Sequence, residues 1–135
     1  MPGYRVRSTP LIAGLLLILL GGTACFGWLR HIAPLVQFFS GLAAMAMPTA
    51  LCFILAGCAL VLRAAMTTQP GWLRIPGVII SATALFHLLL LVFDSPIDPW
   101  ARVHGWFNQA HALQLKMSLP TTTALLIAGI ALSFF

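Results

Sequence analysis

The stretch that decides the fold reads MAMPTALCFILAGCALVL at residues 45–62, an apolar run that opens on a Pro-Thr step and ends at Arg63. It has an echo near the end of the chain. A shift of 72 residues lays Met117-Ser118-Leu119-Pro120-Thr121 over Met45-Ala46-Met47-Pro48-Thr49, and Ala128-Gly129 over Ala56-Gly57. Seven of the eighteen positions are identical without a gap. The shared Met-x-x-Pro-Thr opening points to internal duplication of a two-helix unit.

The solvent for such a chain is lipid. Of its 135 residues 61% are hydrophobic and 7% charged, and mean hydropathy is +1.03. A soluble domain carries roughly 25% charged residues, so there is too little charge here for a water-facing surface. The net charge of +5 comes from scattered bases, which set orientation and meet anionic headgroups rather than forming a nucleic-acid face. Cys25, Cys52 and Cys58 all lie in apolar runs, without a disulfide framework or a Cys-x-x-Cys site.

Charge-free intervals place the spans. A helix needs about 20 apolar residues to cross a bilayer. Residues 9–29 follow a short basic head with Arg5 and Arg7 and supply the first span. The head and run also resemble a signal peptide, but Gly22-Thr23-Ala24-Cys25 is a poor lipoprotein box and the run continues to Leu29. After Arg30-His31, the next interval is too long for one span. It divides into an interfacial segment at 34–45 and a span at 47–66, with Pro48 in the first turn, where its missing N–H costs nothing. One long helix kinked at Pro48 is the competing reading. Residues 75–93 form the third span, stopped by Asp94-Ser95-Pro96-Ile97-Asp98-Pro99.

Residues 100–116 read as an amphipathic surface helix. Trp100, Val103, Trp106, Phe107 and Ala110 recur on one side, while Arg102, His104, Asn108 and His111 take other faces. Residues 118–135 are the fourth span. The expected fold is therefore an all-α integral membrane protein with four transmembrane helices. They form two repeated hairpins, with interfacial segments on the outer side. Arg5, Arg7, Arg63 and Arg74 then face Arg30, Arg102 and Lys116, and four bases against three favour cytoplasmic termini in a bacterial inner membrane.

Small residues mark the expected packing surfaces: Gly77/Ser81, Ala124/Ala128 and Gly129/Ser133, with the repeated Ala56-Gly57 and Ala128-Gly129. The second and fourth spans are expected to touch through Gly57 and Gly129. His87 is the one strongly polar side chain well inside a span, which makes it a functional candidate by default. Thr83 lies one turn away on the same face, and a hydrogen bond from helix to helix would satisfy the ring. Haem or a chlorophyll-type pigment at His87 is the alternative, and haem would need a second axial ligand at similar depth. His31, His104 and His111 come near enough only if His87 sits shallow.

Other chemistry finds little footing. His104 and His111 are two turns apart, about 10 Å along a helix axis, and read as a wet polar face. Cys52 and Cys58 stand roughly 240° apart around a helix, and Met45, Met47, Met66 and Met117 form no soft-metal path. No nucleophile triad, paired catalytic carboxylates or phosphate loop is present. The expectation is no enzyme, no metal and no nucleic-acid partner.

Residues 45–60, with the looser copy at 117–132 where Thr122-Thr123-Ala124 replaces Ala50-Leu51-Cys52, resemble the N-terminal multi-span input regions of bacterial sensor histidine kinases and diguanylate cyclases. The resemblance implies a sensory membrane module. Those proteins continue into a kinase, cyclase or PAS module, whereas this chain stops at Phe135. Three functions remain open. The chain is a small non-catalytic subunit packing against lipids and other integral membrane proteins, a sensory module with a separate effector, or a cofactor-carrying subunit of an electron-transfer or photosynthetic complex.

Overall fold

The structure, a computed structural model, describes residues 8–37, 44–66, 68, 70–95, 97, 99–111 and 117–134, with the side chains of 107–111 outside that description. Among the described residues every regular element is helical. The order is α1 (Ser8–Arg30), α2 (Ala33–Val36), α3 (Met47–Ala65), a 3₁₀ turn (Gly71–Arg74), α4 (Ile75–Val92), α5 (Ala101–His111) and α6 (Leu119–Phe134). Three helical stretches are long and apolar enough to cross a membrane: α1, α3 and the 3₁₀ turn continued by α4. The equally apolar α6 is shorter, at sixteen residues.

Local chemistry explains where the helices begin and end. Proline is the second residue of α2, α3, α4 and α6, where its fixed φ suits the first turn and its missing N–H has no intrahelical partner to lose. Two helices end in Schellman motifs at the same end of the molecule. At the end of α1, His31 takes φ 58° and the N–H of Ile32 donates to the carbonyl of Gly27 at 2.8 Å. At the end of α4, Asp94 takes φ 44°, with Ser95 N–H on the carbonyl of Leu90 at 3.0 Å and Asp94 N–H on that of Leu91.

Of the expected interfacial segment at 34–45, the described residues hold one helical turn, α2, followed by an extended Gln37. Val36 is buried, and its carbonyl accepts from Met45 N–H at 2.9 Å, turning the chain back. Residues 38–43 of that segment lie outside the described residues. The single long kinked helix is excluded, because residues 44–46 are not helical and Ala46 is extended at ψ 146°.

The helices associate as two antiparallel pairs, α1 with α3 and α4 with α6. In the first, a Cβ on Gly14 would stand 2.7 Å from the carbonyl oxygen of Gly57, and one on Gly57 2.5 Å from that of Gly14. In the second, a Cβ on Gly77 would stand 2.6 Å from the Gly129 oxygen, and one on Gly129 2.8 Å from the Gly77 oxygen. No side chain fits at these four glycines, which lets the backbones touch at both crossings. The expected contact of Gly57 with Gly129 is therefore corrected. Each glycine meets a glycine in the partner helix of its own pair. Ser81 and Ser133 pack beside Gly129 and Gly77 in the second pair, and Ser133 Oγ–H donates to the Gly129 carbonyl at 2.8 Å.

Ala56 is buried, but its counterpart Ala128 is exposed, a second correction to the expected packing set. A fully enclosed row of Ala24, Ala50, Ala59, Ile80, Ala84 and Thr122 marks the centre of the molecule. Thr122 is no liability there, since its hydroxyl donates to the carbonyl of Leu119 at 2.9 Å. At the end where α1 begins and α6 ends, the Arg63 guanidinium donates to the carbonyl of Leu132 in α6, and to that of Leu73 at 3.4 Å. A cation on the last carbonyls of a helix complements its dipole, and this one ties α3, the 3₁₀ turn and α6 together.

Candidate functional site

Polar chemistry concentrates at the α5 end, and it starts from a defect in α3. The residue before α3 is Ala46, which has no side chain to cap the first-turn N–H groups. Yet Met47, Pro48, Thr49 and Ala50 are all buried, so water does not cap them either. Pro48 has no N–H to satisfy. The N–H of Met47 donates to Nε2 of His104, 57 residues along in α5, at 3.1 Å. An imidazole that accepts at Nε2 carries its proton on Nδ1.

His104 is 1% exposed. Its ring lies 4.7 Å from that of Trp28, whose indole N–H donates to the carbonyl of Met45 at 2.8 Å. Trp28 also meets Trp106 edge-on at 5.6 Å, and Trp106 stacks on His31 at 4.9 Å. The last turn of α1, the entry to α3 and the first turns of α5 thus close over one aromatic cluster. Gly27 permits it, since a Cβ there would strike Leu35.

His104 was expected on a wet polar face, and the structure corrects this. Nothing on the surface of an isolated α5 helix calls for a buried imidazole. The demand comes from the uncapped start of α3. Trp106 likewise packs against α1. Trp100 is half-buried against the core, and its carbonyl accepts the N–H of Val103 and of His104 at 2.9 Å. The backbones of Phe107 and His111 complete α5, while their side chains lie outside the described residues.

His87 is buried five residues before the end of α4. Its Nδ1–H donates to the carbonyl of Thr83 at 2.9 Å, a bond within its own helix and not from helix to helix. His87 and His104 line one small cavity with Pro48, Leu91, Trp100 and Met117. Its volume is about 20 Å³, enough for one water. Pockets that take drug-sized ligands run to about 300–1,000 Å³, so this cavity does not admit a porphyrin. Nor can both rings serve one metal ion as they stand, because Nε2 of His104 is engaged by Met47. No group of three or more His, Cys, Asp or Glu side chains able to hold a metal occurs among the described residues. A wider cleft of about 230 Å³ opens beside it, where Thr49 and Phe53 of α3 face Met117, Ser118 and Thr121.

What fold and cluster define is a class, an all-helical protein with three helices long and apolar enough to cross a membrane. No family model, curated protein or solved structure matches the chain. The likeness to sensor-kinase input regions rests on residues 45–60 and the looser copy at 117–132.

Proposed function

We propose that this chain is a small non-catalytic integral membrane subunit, crossing a bacterial inner membrane four times with both termini in the cytoplasm. It works by packing its helices against partner chains within the bilayer. The observation that carries this reading is the outer surface of α1 and α4. Leu15, Leu19, Val78, Ile79, Phe86 and Leu89 stand about half exposed or more. Lipid or another apolar helix must cover such faces, while almost no chain is left over for a water-facing surface. The fourth crossing is α6, which rises about 24 Å over sixteen residues. Its antiparallel packing on α4 supports that reading.

The internal duplication belongs to the same reading. Gly14 and Gly77 are 63 residues apart, as are His31 and Asp94 in the two Schellman turns. Gly57 and Gly129 are 72 apart. Two hairpins that differ by nine residues in their connections (72 − 63) account for both offsets, the longer connection being the one that holds α5.

Gentle-detergent purification from native membranes, with mass spectrometry and an absorption spectrum on one sample, tests the proposal. Stoichiometric membrane proteins in a colourless preparation are expected. A homogeneous chain without integral partners overturns it, and a Soret or chlorophyll-type band lost in His87→Ala replaces it with the cofactor-carrying reading. A sensory module acting through a separate effector is the second reading, favoured by the buried His104 at the junction of three elements.

A further inference from the structure

We propose that the cleft between the first turns of α3 and α6 binds one membrane phospholipid, held through its phosphate. The repeated Met-x-x-Pro-Thr motif builds this cleft from both sides. Met45 and Thr49 line it from the first copy, Met117 and Thr121 from the second, with Phe53 and Ser118 beside them. Helix initiation does not account for the motif, because α2 and α4 also carry Pro as second residue, without the flanking Met and Thr. What the two copies share is the space of about 230 Å³ on which they converge.

The donors around that space set the chemistry of its ligand. In α3 the N–H of Met47 is spent on His104 and Pro48 has none, which leaves Thr49. Thr49 is 5% exposed and lines the cleft, and its hydroxyl has no hydrogen-bond partner among the described residues. A buried hydroxyl in that position calls for an acceptor. In α6 the hydroxyls of Ser118 and Thr121 bond each other at 2.8 Å. Two hydroxyls carry two protons and their mutual bond uses one, so the pair has one left to donate. The N-termini of α3 and α6, the positive ends of two helix dipoles, open on the same space. Repeat-related donor sets thus face one cleft from two helices, and a phosphodiester presents two equivalent anionic oxygens to meet them. Phe53, Met45 and Met117 supply apolar walls for the glycerol esters and the start of an acyl chain. In the four-crossing reading these first turns lie at the membrane boundary, where phospholipid phosphates sit. The inference rests on that membrane reading and not on the presence of partner chains.

The test is native mass spectrometry of the delipidated full chain in detergent. The probes are phosphatidylglycerol, diacylglycerol with the same chains, and inorganic phosphate. Phosphatidylglycerol should bind once per chain, saturably, and roughly tenfold or more tighter than diacylglycerol. Thr49→Val keeps the shape of the side chain and removes its hydroxyl. It should weaken phosphatidylglycerol roughly tenfold and leave diacylglycerol unchanged. Thr23→Val, at a hydroxyl that already donates to the Leu20 carbonyl, should change neither. Equal affinity for the two lipids overturns the proposal, as does a Thr49→Val variant that binds phosphatidylglycerol like the wild type. Inorganic phosphate bound as tightly as the lipid makes the ligand a free anion and overturns the lipid. Should Thr49→Val not fold, the two lipids on the wild type decide alone. Reconstitution into phospholipid vesicles separates the two levels of failure. A chain that does not enter the bilayer overturns the membrane reading and the lipid site together, whereas one that enters it without preferring the phospholipid overturns the site alone.

Discussion

The uncapped N–H of Met47 shows how one residue can settle where a whole element lies. A buried donor left without an acceptor costs about 1–3 kcal/mol, and His104 removes that cost for α3. His104→Ala should therefore lower stability by about 1–3 kcal/mol at a pH where the ring is neutral, with His104→Gln recovering part of it. Unfolding in mixed detergent measures both. Equal losses in the two variants would show that ring packing on Trp28, and not the hydrogen bond, carries the effect. Asp94 makes the opposite case. It sits at φ 44° just past the end of α4, a left-handed position that suits glycine, and places a negative charge at the negative end of a helix. Asp94→Gly should raise stability by about 0.5–1 kcal/mol, read as a higher melting temperature. A drop instead would give the carboxylate a role that its backbone position does not explain.

Elements meet here through backbone, and the glycines show where. Gly57→Leu should separate α1 from α3, and Gly129→Leu should separate α4 from α6, each by more than about 2 kcal/mol, since the side chain would meet the partner helix's backbone, at Gly14 and Ile18 in the first pair and at Gly77 and Ser81 in the second. Because the two crossings lie in different pairs, the losses should add within about 0.5 kcal/mol in the double variant; strong coupling would mean that Gly57 and Gly129 share an interface after all. Gly22 has nothing within 4 Å of a Cβ, so Gly22→Ala should be neutral or gain up to about 1 kcal/mol from helix propensity. The extent of the helices is legible in the sequence because charge and Pro-initiated turns mark it: α1 ends at Arg30 and α3 begins one residue before Pro48. Pairing is not legible. Ala56-Gly57 and Ala128-Gly129 look alike as letters, and only the azimuth of each helix, set by every other contact, makes Ala56 buried and Ala128 exposed. The position of His104 escapes for a related reason. Its face of α5 is chosen by a vacancy 57 residues away, and the one local sign of that vacancy is an alanine where a capping residue belongs.

At the scale of the molecule, two antiparallel pairs leave the 3₁₀ turn at one end and α5 at the other. Gly71 begins the turn, Gly105 lies in α5, and neither has an atom within 4 Å of a prospective Cβ, so both accept a small side chain. In a chain that crosses the bilayer through α1, α3, α4 and α6, these two positions face opposite compartments. The four-crossing reading therefore makes a prediction that three crossings with a surface-lying α6 would share only in part. With Cys25, Cys52 and Cys58 replaced by alanine, a membrane-impermeant maleimide added to intact cells should label Gly105→Cys and leave Gly71→Cys unlabelled until the membrane is opened. Ser8→Cys at the start of α1 and Phe134→Cys at the end of α6 should then both behave like Gly71→Cys. Labelling of Phe134→Cys on intact cells, together with protection of Ser8→Cys, would place α6 on the α5 side throughout and reduce the crossings to three. Reversed accessibility of Gly71 and Gly105 would keep the four crossings and invert the orientation. In the four-crossing reading the bases divide four against three, and each basic residue near a surface contributes only about 1 kcal/mol, so the two orientations differ little in preference.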